Sequence, residues 1–345
     1  MPTLELISVI VINFNGKDFV DRFFRSLLKT NYKEFEVIFV DNASTDGSAE
    51  YVRNHFKDER IVMVRNNKNY GPSAARNIGF EKAKGEYIAF LDNDTEVDNE
   101  WINELVKVFE NDPNIAVAQC KLLNMVERKK FDHAGDYLTP LGFLYERSRH
   151  CIDKGQFDKV EDILSAKSAA TMIRSSVYRE LGMYDDSYFI FLEETDFCFR
   201  AWLSGYRVVF VPRAVVWHAF NTPLKESKRY YSTYMIRFLG CRNYIMTLLK
   251  NLGCRNLLKI LPVHIFSWIC LSALFFFRGK LTDSVLILKG ILWNLFHIKE
   301  ILIKRTFVQQ KLRKIDDKIF DKLIIRHSLW FYLREAWGYL RGPKY

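Results

Sequence analysis

The stretch EYIAFLDND, residues 86–94, runs from the apolar side chains of Tyr87, Ile88, Ala89, Phe90 and Leu91 into two carboxylates, Asp92 and Asp94, one residue apart. An uncharged run of this length fits a strand buried on both faces, and such strands belong to mostly parallel sheets. Its ending has two readings. Asp and Asn bend the backbone after strands by hydrogen-bonding to it, or the acids stand at the strand end to do chemistry.

The residues upstream repeat the pattern. Apolar runs at 8–15 (SVIVINFN), 36–42 (EVIFVDN) and 61–66 (IVMVRN) alternate with amphipathic stretches near 17–29, 48–56 and 72–84. That alternation predicts an α/β fold with a mostly parallel sheet. STDGS and GPS mark the starts of the second and third helices, with Pro72 in a first turn where its missing N–H costs nothing. Three of the strands end in polar clusters: Asn13 and Asn15, Asp41 and Asn42, Asp92 and Asp94. Open parallel sheets bind ligands beyond the carboxyl ends of their strands, so these clusters should converge on one edge, which favours the chemical reading of the two aspartates.

Charge divides the chain in two. Residues 221–345 hold 23 Lys and Arg against 7 Asp and Glu, whereas residues 1–220 hold 28 against 34, so a net +10 conceals +16 after −6. The basic part is rich in Leu, Ile, Phe and Trp, which points to an anionic membrane surface rather than nucleic acid. Six cysteines stand singly, with no zinc or disulfide spacing, and fit a reduced, cytosol-facing compartment. The N-terminal MPTLELISVIVINFNG lacks a basic stretch before its apolar run and reads as a strand, not a signal peptide.

Two carboxylates at a strand end can hold a hard divalent cation that keeps places open for phosphate oxygens. Asp41 on the adjacent strand can accept from a ribose hydroxyl or a base. No G-x-G-x-x-G or P-loop is present, so side chains and a cation, Mn²⁺ or Mg²⁺, would bind the phosphates.

Taken in order, VINFNG, VDNASTDGS, NYGPSAARNIGF, FLDND, FIFLEETDFCFRAWLSGYRVVFVP and VWHAF resemble the family 2 glycosyltransferases of the GT-A fold, over about residues 6–220. The resemblance implies a nucleotide-sugar-binding and catalytic domain at 1–222, followed by a helical membrane-associating or oligomerising region at 223–345. It implies donor contacts from Asn13, Asn15, Asp41, Asn69 and Arg76, with Gly71 and Asn77 in the same motif. Asp92 would face the ribose and the cation, Asp94 would ligate the cation directly, and His218 would stand near cation or diphosphate.

The segment FLEETDFCFR resembles the family's acid–base motif, an acidic pair, then Asp, then Arg, filled here by Glu193, Glu194, Asp196 and Arg200. Where similar enzymes place a catalytic aspartate this chain has Glu194, whose extra methylene extends the reach by about 1.5 Å; Glu193 is the alternative base. Crowded carboxylates raise one another's pKa toward the working pH. The competing reading is a charged helix face with i,i+3 and i,i+4 pairs. Asp136 and Ser168 match where the family lines its acceptor pocket, with Arg200 on the same side.

Residues 257–277 are long enough to cross a bilayer, though Pro262 and His264 weaken a simple span. In residues 284–305, Gly290, Asn294, His297 and Lys304, with Asp283 just before, recur at near-helical intervals and leave one apolar face, the pattern of a helix in the membrane interface. KLRKIDDKIFDKLIIRH and SLWFYLREAWGYL extend it as basic amphipathic helix with interfacial aromatics. We expect peripheral or monotopic attachment at the cytoplasmic face of the cell membrane; a true span and a homo-oligomer interface are the alternatives.

The expected function is inverting transfer of a sugar from a nucleoside-diphosphate sugar to an acceptor hydroxyl, on a saccharide or lipid-linked saccharide. Two other classes compete. A sugar nucleotidyltransferase would want a glycine-rich basic loop after the first strand, where VINFNGKDF has one glycine. A non-catalytic membrane-bound nucleotide-sugar binding protein would not need Glu193, Glu194 and Asp196.

Overall fold

The computed structural model describes residues 5–148, 151–219, 232–326 and 328. The chain divides into two compact units, Met1–Asp136 with Glu146–Phe220, and Tyr137–Tyr145 with Asn221–Tyr345.

The first unit opens with strict alternation: β1 (Ile7–Asn13), α1 (Val20–Leu27), β2 (Phe35–Asp41), α2 (Ser48–His55), β3 (Ile61–Arg65), α3 (Gly71–Phe80) and β4 (Tyr87–Asp92). β1 pairs in parallel with both β2 and β4, and β2 with β3. Val, Ile and Phe fill β1, β2 and β4 because both faces are covered, and every residue of β1 except Ile12 is buried, whereas the edge strand β3 is only partly covered. α1 docks through Val20, Phe23, Phe24 and Leu27, the i, i+3, i+4, i+7 stripe of a half-buried helix. Each such apolar side chain, fully buried, contributes about 1.5–3 kcal/mol.

After β4 come β5 (Thr95–Val97), α4 (Trp101–Asn111), β6 (Ile115–Asn124), β7 (Phe131–His133), β8 (Asp136–Leu138), β9 (Leu144–Glu146), β10 (Glu161–Asp162), β11 (Ala170–Arg174), α5 (Ser175–Glu180), α6 (Glu193–Leu203) and β12 (Arg207–His218). The large sheet runs β10-β12-β6-β11-β4-β1-β2-β3, with β5 on β12 and β7 on β6; β8 and β9 pair separately. β11, between β4 and β6, runs antiparallel to both, and β10, β5 and β7 are antiparallel to the strands they pair with. This is a GT-A, Rossmann-like architecture, a mostly parallel sheet flanked by helices.

Register decides where the site forms. Asn13 lies opposite Asp41 on one side, and Ile12 opposite Asp92 on the other, so the polar ends of β1, β2 and β4 share one edge. Across the sheet, His218 pairs with Thr95, one residue past Asp94.

Apart from the segment Tyr137–Tyr145, which carries most of β8 and β9, the described part of the second unit is mainly helical: α7 (Gly240–Asn251), α8 (Cys254–Phe277), α9 (Leu281–Phe296) and α10 (Ile298–Thr306). Its core contains Cys241, Ile245, Trp268, Phe275 and Ile287. By length and composition α8 can cross a membrane. Residues 284–305 are not one helix, because the backbone leaves helical geometry at His297. The polar side of α9 is packed inside the unit: Ser284, Gly290 and Asn294 are buried, and the apolar side is outside, where the expected membrane contact would need it. A polar stripe marks the solvent face only when water is the partner; here α7 is the partner, and Asn294 donates to the Arg242 carbonyl at 3.1 Å. Further on, Phe307–Leu312 winds as a π-helix and Asp317–Leu323 as a 3₁₀ helix, which replaces the expected amphipathic helix over 311–327. Of the final aromatic segment, residues 328–340, nearly all lies outside the described residues.

Candidate active site

The rim begins at Asn13, wholly buried at the end of β1. Its amide donates to Asp41 Oδ1 at 3.0 Å, Ser44 Oγ at 2.9 Å and Ser48 Oγ at 2.8 Å, while its Oδ1 accepts from Asn93 at 2.6 Å. Asn13 thereby joins the Asp41 corner to the loop carrying Asp92 and Asp94. Gly16 is needed for that junction, because a Cβ there would collide with the Asn93 amide. Asn15 sits in the left-handed region at φ 53° and accepts from Thr45 N–H at 2.8 Å. Asn69 Oδ1 caps Gly71 N–H at 2.8 Å and accepts from Asn42 at 2.8 Å. Gly71 itself has φ 81°, and a Cβ would press within 2.6 Å of the Phe189 carbonyl.

Asp92, Asp94 and His218 each offer a ligand atom within 4.8 Å of the others. The Ala219 N–H donates to the Asp94 carbonyl at 3.0 Å, which ties the end of β12 to the loop after β4. His218 Nδ1 lies 2.8 Å from Asp132 Oδ2, and Nε2 lies 3.3 Å from Asp94 Oδ1. Burial pulls the His218 pKa down, but Asp132, helped by Asp92, outweighs it and the net shift is upward. Two hard carboxylates and an imidazole whose far nitrogen is held by a third carboxylate make a donor set suited to a divalent cation, with Asp132 orienting the ring and Nε2 left to face the ion.

Arg76 connects this group to the second acidic cluster. Its guanidinium is buried, 2.7 Å from Asp92 Oδ1 and 3.3 Å from Glu193 Oε1. Glu193 and Glu194 begin α6, where the positive end of the helix favours acids. The chain reaches them through Phe189, Phe191 and Leu192 at φ 61°, 73° and 69°. Side chains other than glycine resist that region, at a cost on the order of 1–3 kcal/mol each. Such strain persists where packing fixes it, here just ahead of the two glutamates.

Those glutamates differ. Glu193 is 3% exposed, and burial, with Glu194 adding, pushes its pKa up to about 8 although Arg76 opposes the rise. It therefore holds its proton to higher pH than an ordinary glutamate. Glu194 has a 13% exposed side chain and stands 3.9 Å from the Lys167 ammonium. Lys167 also lies 3.6 Å from Asp136 Oδ2, and His133 Nε2 lies 3.0 Å from Asp136 Oδ1. Burial raises the Asp136 pKa, but Lys167 and His133 outweigh it and hold the carboxyl below its ordinary value.

Asp196 and Arg200 form a fully buried ion pair at 3.0 Å, and Arg200 also donates to the Met183 carbonyl at 2.7 Å and to the Leu181 carbonyl. They lock α6 to the loop over 181–183. Ser168 is satisfied by Tyr184 at 2.8 Å. Sequence reading missed Asp132, His133, Lys167 and Asn93. Asn93 lies inside FLDND, where the flanking acids drew the attention; a lone Asp, His or Lys carries no motif, and only the fold brings those three to the rim.

Residues 8–182, half of the chain, match the family model Glycosyl transferase family 2. The chain belongs to that family. That membership favours glycosyl transfer over the nucleotidyltransferase and binding-protein readings. The chain is 42% identical over 91 residues to the Escherichia coli UDP-Glc:alpha-D-GlcNAc-diphosphoundecaprenol beta-1,3-glucosyltransferase WfaP, covering 26% of this chain and 36% of WfaP. Over 205 residues it is 28% identical to the pre-mycofactocin glycosyltransferase of Mycobacterium tuberculosis, covering 58% and 40%. The chain spans 36–41% of the length of the first curated relatives it matches. S. aureus TarS 1–349 in complex with UDP-GlcNAc superposes with a TM-score of 0.59 at 17% identity, covering 99% of this chain and 93% of that one. The Pyrobaculum calidifontis mannosyltransferase PcManGT, in complex with GDP-Man and Mn²⁺, gives 0.53 at 16% identity, covering 90% and 89%.

Proposed function

We propose that this glycosyltransferase moves a sugar from a nucleoside-diphosphate sugar to a hydroxyl of a lipid-linked saccharide, with inversion, at the cytosolic face of the membrane. The observation that carries the transfer reading is Arg76, buried between Asp92 and Glu193. It fixes the donor-side acids and the base-side acids at neighbouring positions on one rim. The lipid-linked acceptor and the membrane face take their support from the name of WfaP and from the long apolar α8 within a basic second unit.

In this reading Asp41, with Asn13, Asn15 and Asn69 shaping its corner, receives the nucleoside. A divalent cation, Mn²⁺ or Mg²⁺, held by Asp92, Asp94 and His218 would neutralise charge developing on the diphosphate. Glu194 is the base. It takes the proton of the acceptor hydroxyl, the hydroxyl oxygen bonds to the anomeric carbon, and the bonding electrons of the departing C–O bond leave with the nucleoside diphosphate. Attack opposite the leaving group inverts the anomeric centre, and no enzyme nucleophile is required. Glu193, neutral, does not compete for that proton, and Lys167 keeps a cation near Glu194 through the reaction. Asp196 and Arg200 hold the helix that presents both glutamates, and Asp136 with Ser168 lies on the acceptor side.

Release of nucleoside diphosphate from a panel of nucleotide sugars, with Mn²⁺ or Mg²⁺, tests the reading. Activity should require Glu194 and Asp94; full activity of Asp94→Ala would sink the cation assignment.

A further inference from the structure

In α8 the buried positions are Ile260, His264, Trp268, Ser272 and Phe275, and in α9 they are Ser284, Ile287, Gly290 and Asn294. The seam between these helices and α7 is therefore polar in part. Trp268 Nε1 donates to His264 Nε2 at 2.9 Å, so the imidazole hydrogen sits on Nδ1, 2.8 Å from the Leu141 carbonyl. Ser272 meets the Ser284 hydroxyl at 2.9 Å. Asp283 is paired with Arg237 at 2.6 Å. A Cβ at Gly290 would come within 3.0 Å of the Phe238 carbonyl, so the helices close tightly there.

The outer surface is the reverse. Leu258 is 76% exposed, Phe266 64%, Phe277 83%, Leu295 62% and Phe296 81%. In water this is the wrong way round, because apolar area left exposed forgoes about 25 cal/mol per Å². We propose that α8 and α9 form a monotopic insertion hairpin whose outer face lies among the acyl chains of one leaflet of an anionic bilayer.

Three observations select lipid as the occupant. The outward face of α8 from Pro262 to Phe277 carries no charge over about 24 Å at about 1.5 Å per residue. Basic residues bracket it, Arg255 and Lys259 before, Arg278 and Lys280 after, which suits anionic headgroups and would repel the same bracket on a second copy. Lys289 projects outward from the middle of α9. In a transmembrane hairpin it would lie in hydrocarbon, whereas in a hairpin lying flat its stem reaches the headgroups. This deepens the membrane part of the proposed function, and its test uses no donor sugar, so its failure would leave the transfer reading intact.

The full chain supplies its own reporters. Cys270 is exposed on the outer face of α8, and Cys151 is exposed in the first unit. A charged maleimide is added with and without phosphatidylcholine vesicles containing about a third phosphatidylglycerol, and labelled peptides are counted. Vesicles should slow labelling of Cys270 about tenfold and leave Cys151 unchanged. Flotation in about 1 M NaCl, where the Debye length is about 3 Å, should retain the protein. The double variant Phe266→Glu, Leu292→Glu should float at least about tenfold less than the parent, while Val160→Glu, at an exposed site of the first unit, floats normally. Equal labelling of Cys270 with and without vesicles, or full release by salt, overturns the proposal. So does a lipid-free dimer that the double variant dissociates while vesicle binding stays at parent level. If the double variant does not fold, labelling of the parent decides alone.

Discussion

Replacing Glu193 by Gln should leave a signature in the pH dependence of stability. Folded Glu193 titrates at about 8 instead of 4.5, because burial and then Glu194 oppose its charge. Between those values the folded chain keeps a proton that the unfolded chain has released. Stability of the parent therefore falls as pH rises through that window and levels off above it. A shift of about 3.5 units at 1.36 kcal/mol each sets a fall of about 5 kcal/mol. Glutamine matches the neutral acid in shape and has nothing to titrate, so Glu193→Gln should escape the fall. Urea unfolding of both proteins in one mild detergent, at about pH 5, 7 and 9, measures the gap. The variant's advantage should be small at the lowest pH and widen toward about 5 kcal/mol at the highest. A constant gap, or one that narrows as pH rises, would show that Glu193 is ionised against Arg76, and the division of labour between the two glutamates would be wrong. The same variant should retain sugar transfer, since it only makes permanent the neutral state already held at pH 7.

Glu194→Gln should behave oppositely, losing about 10²- to 10⁴-fold in transfer rate while donor affinity, read by thermal shift with nucleoside diphosphate, stays near the parent's. Asp132→Asn removes the carboxylate behind His218 and should weaken Mn²⁺-dependent stabilisation by UDP, with cation affinity down about 10- to 100-fold in a titration; unchanged affinity would remove Asp132 from the cation site. Arg200→Ala strands the wholly buried Asp196 and should cost about 3–5 kcal/mol in urea unfolding. Gly16→Ala should separate Asn13 from Asn93 and lower donor affinity, a result that calorimetry with UDP would contradict if binding were unaltered.

The sheet was legible because its strands are unbroken apolar runs that end in Asn and Asp, and Ile, Val and Phe have few other places to go. EYIAFLDND read alone left a turn and a site in balance; the matching ends of β1 and β2 tilted it, and the register of the strands sets Asn13, Asp41 and Asp92 along one edge. His218 was readable from its place after a strand, but its partner Asp132 was not, since that contact spans 86 residues and depends on how β7 and β12 flank β6. Arg76 appeared as a helix residue of a motif. That it braces Asp92 against Glu193 follows only from α3 and α6 meeting in space. Helix α9 shows a limit of another kind: its periodicity identified two faces correctly, but Gly290 and Asn294 meet α7 and Ser284 meets Ser272 of α8, and no pattern within one helix says what its polar side will touch.

The left-handed backbone at Phe189, Phe191 and Leu192 places a bargain in the chain. Glycine would relieve the backbone at the half-buried Phe189 and Phe191, whereas at Leu192 it would forfeit a buried side chain, so selection for heat tolerance should find the first two codons early. Every such gain would let the acids downstream wander, and a hardier enzyme would turn over more slowly.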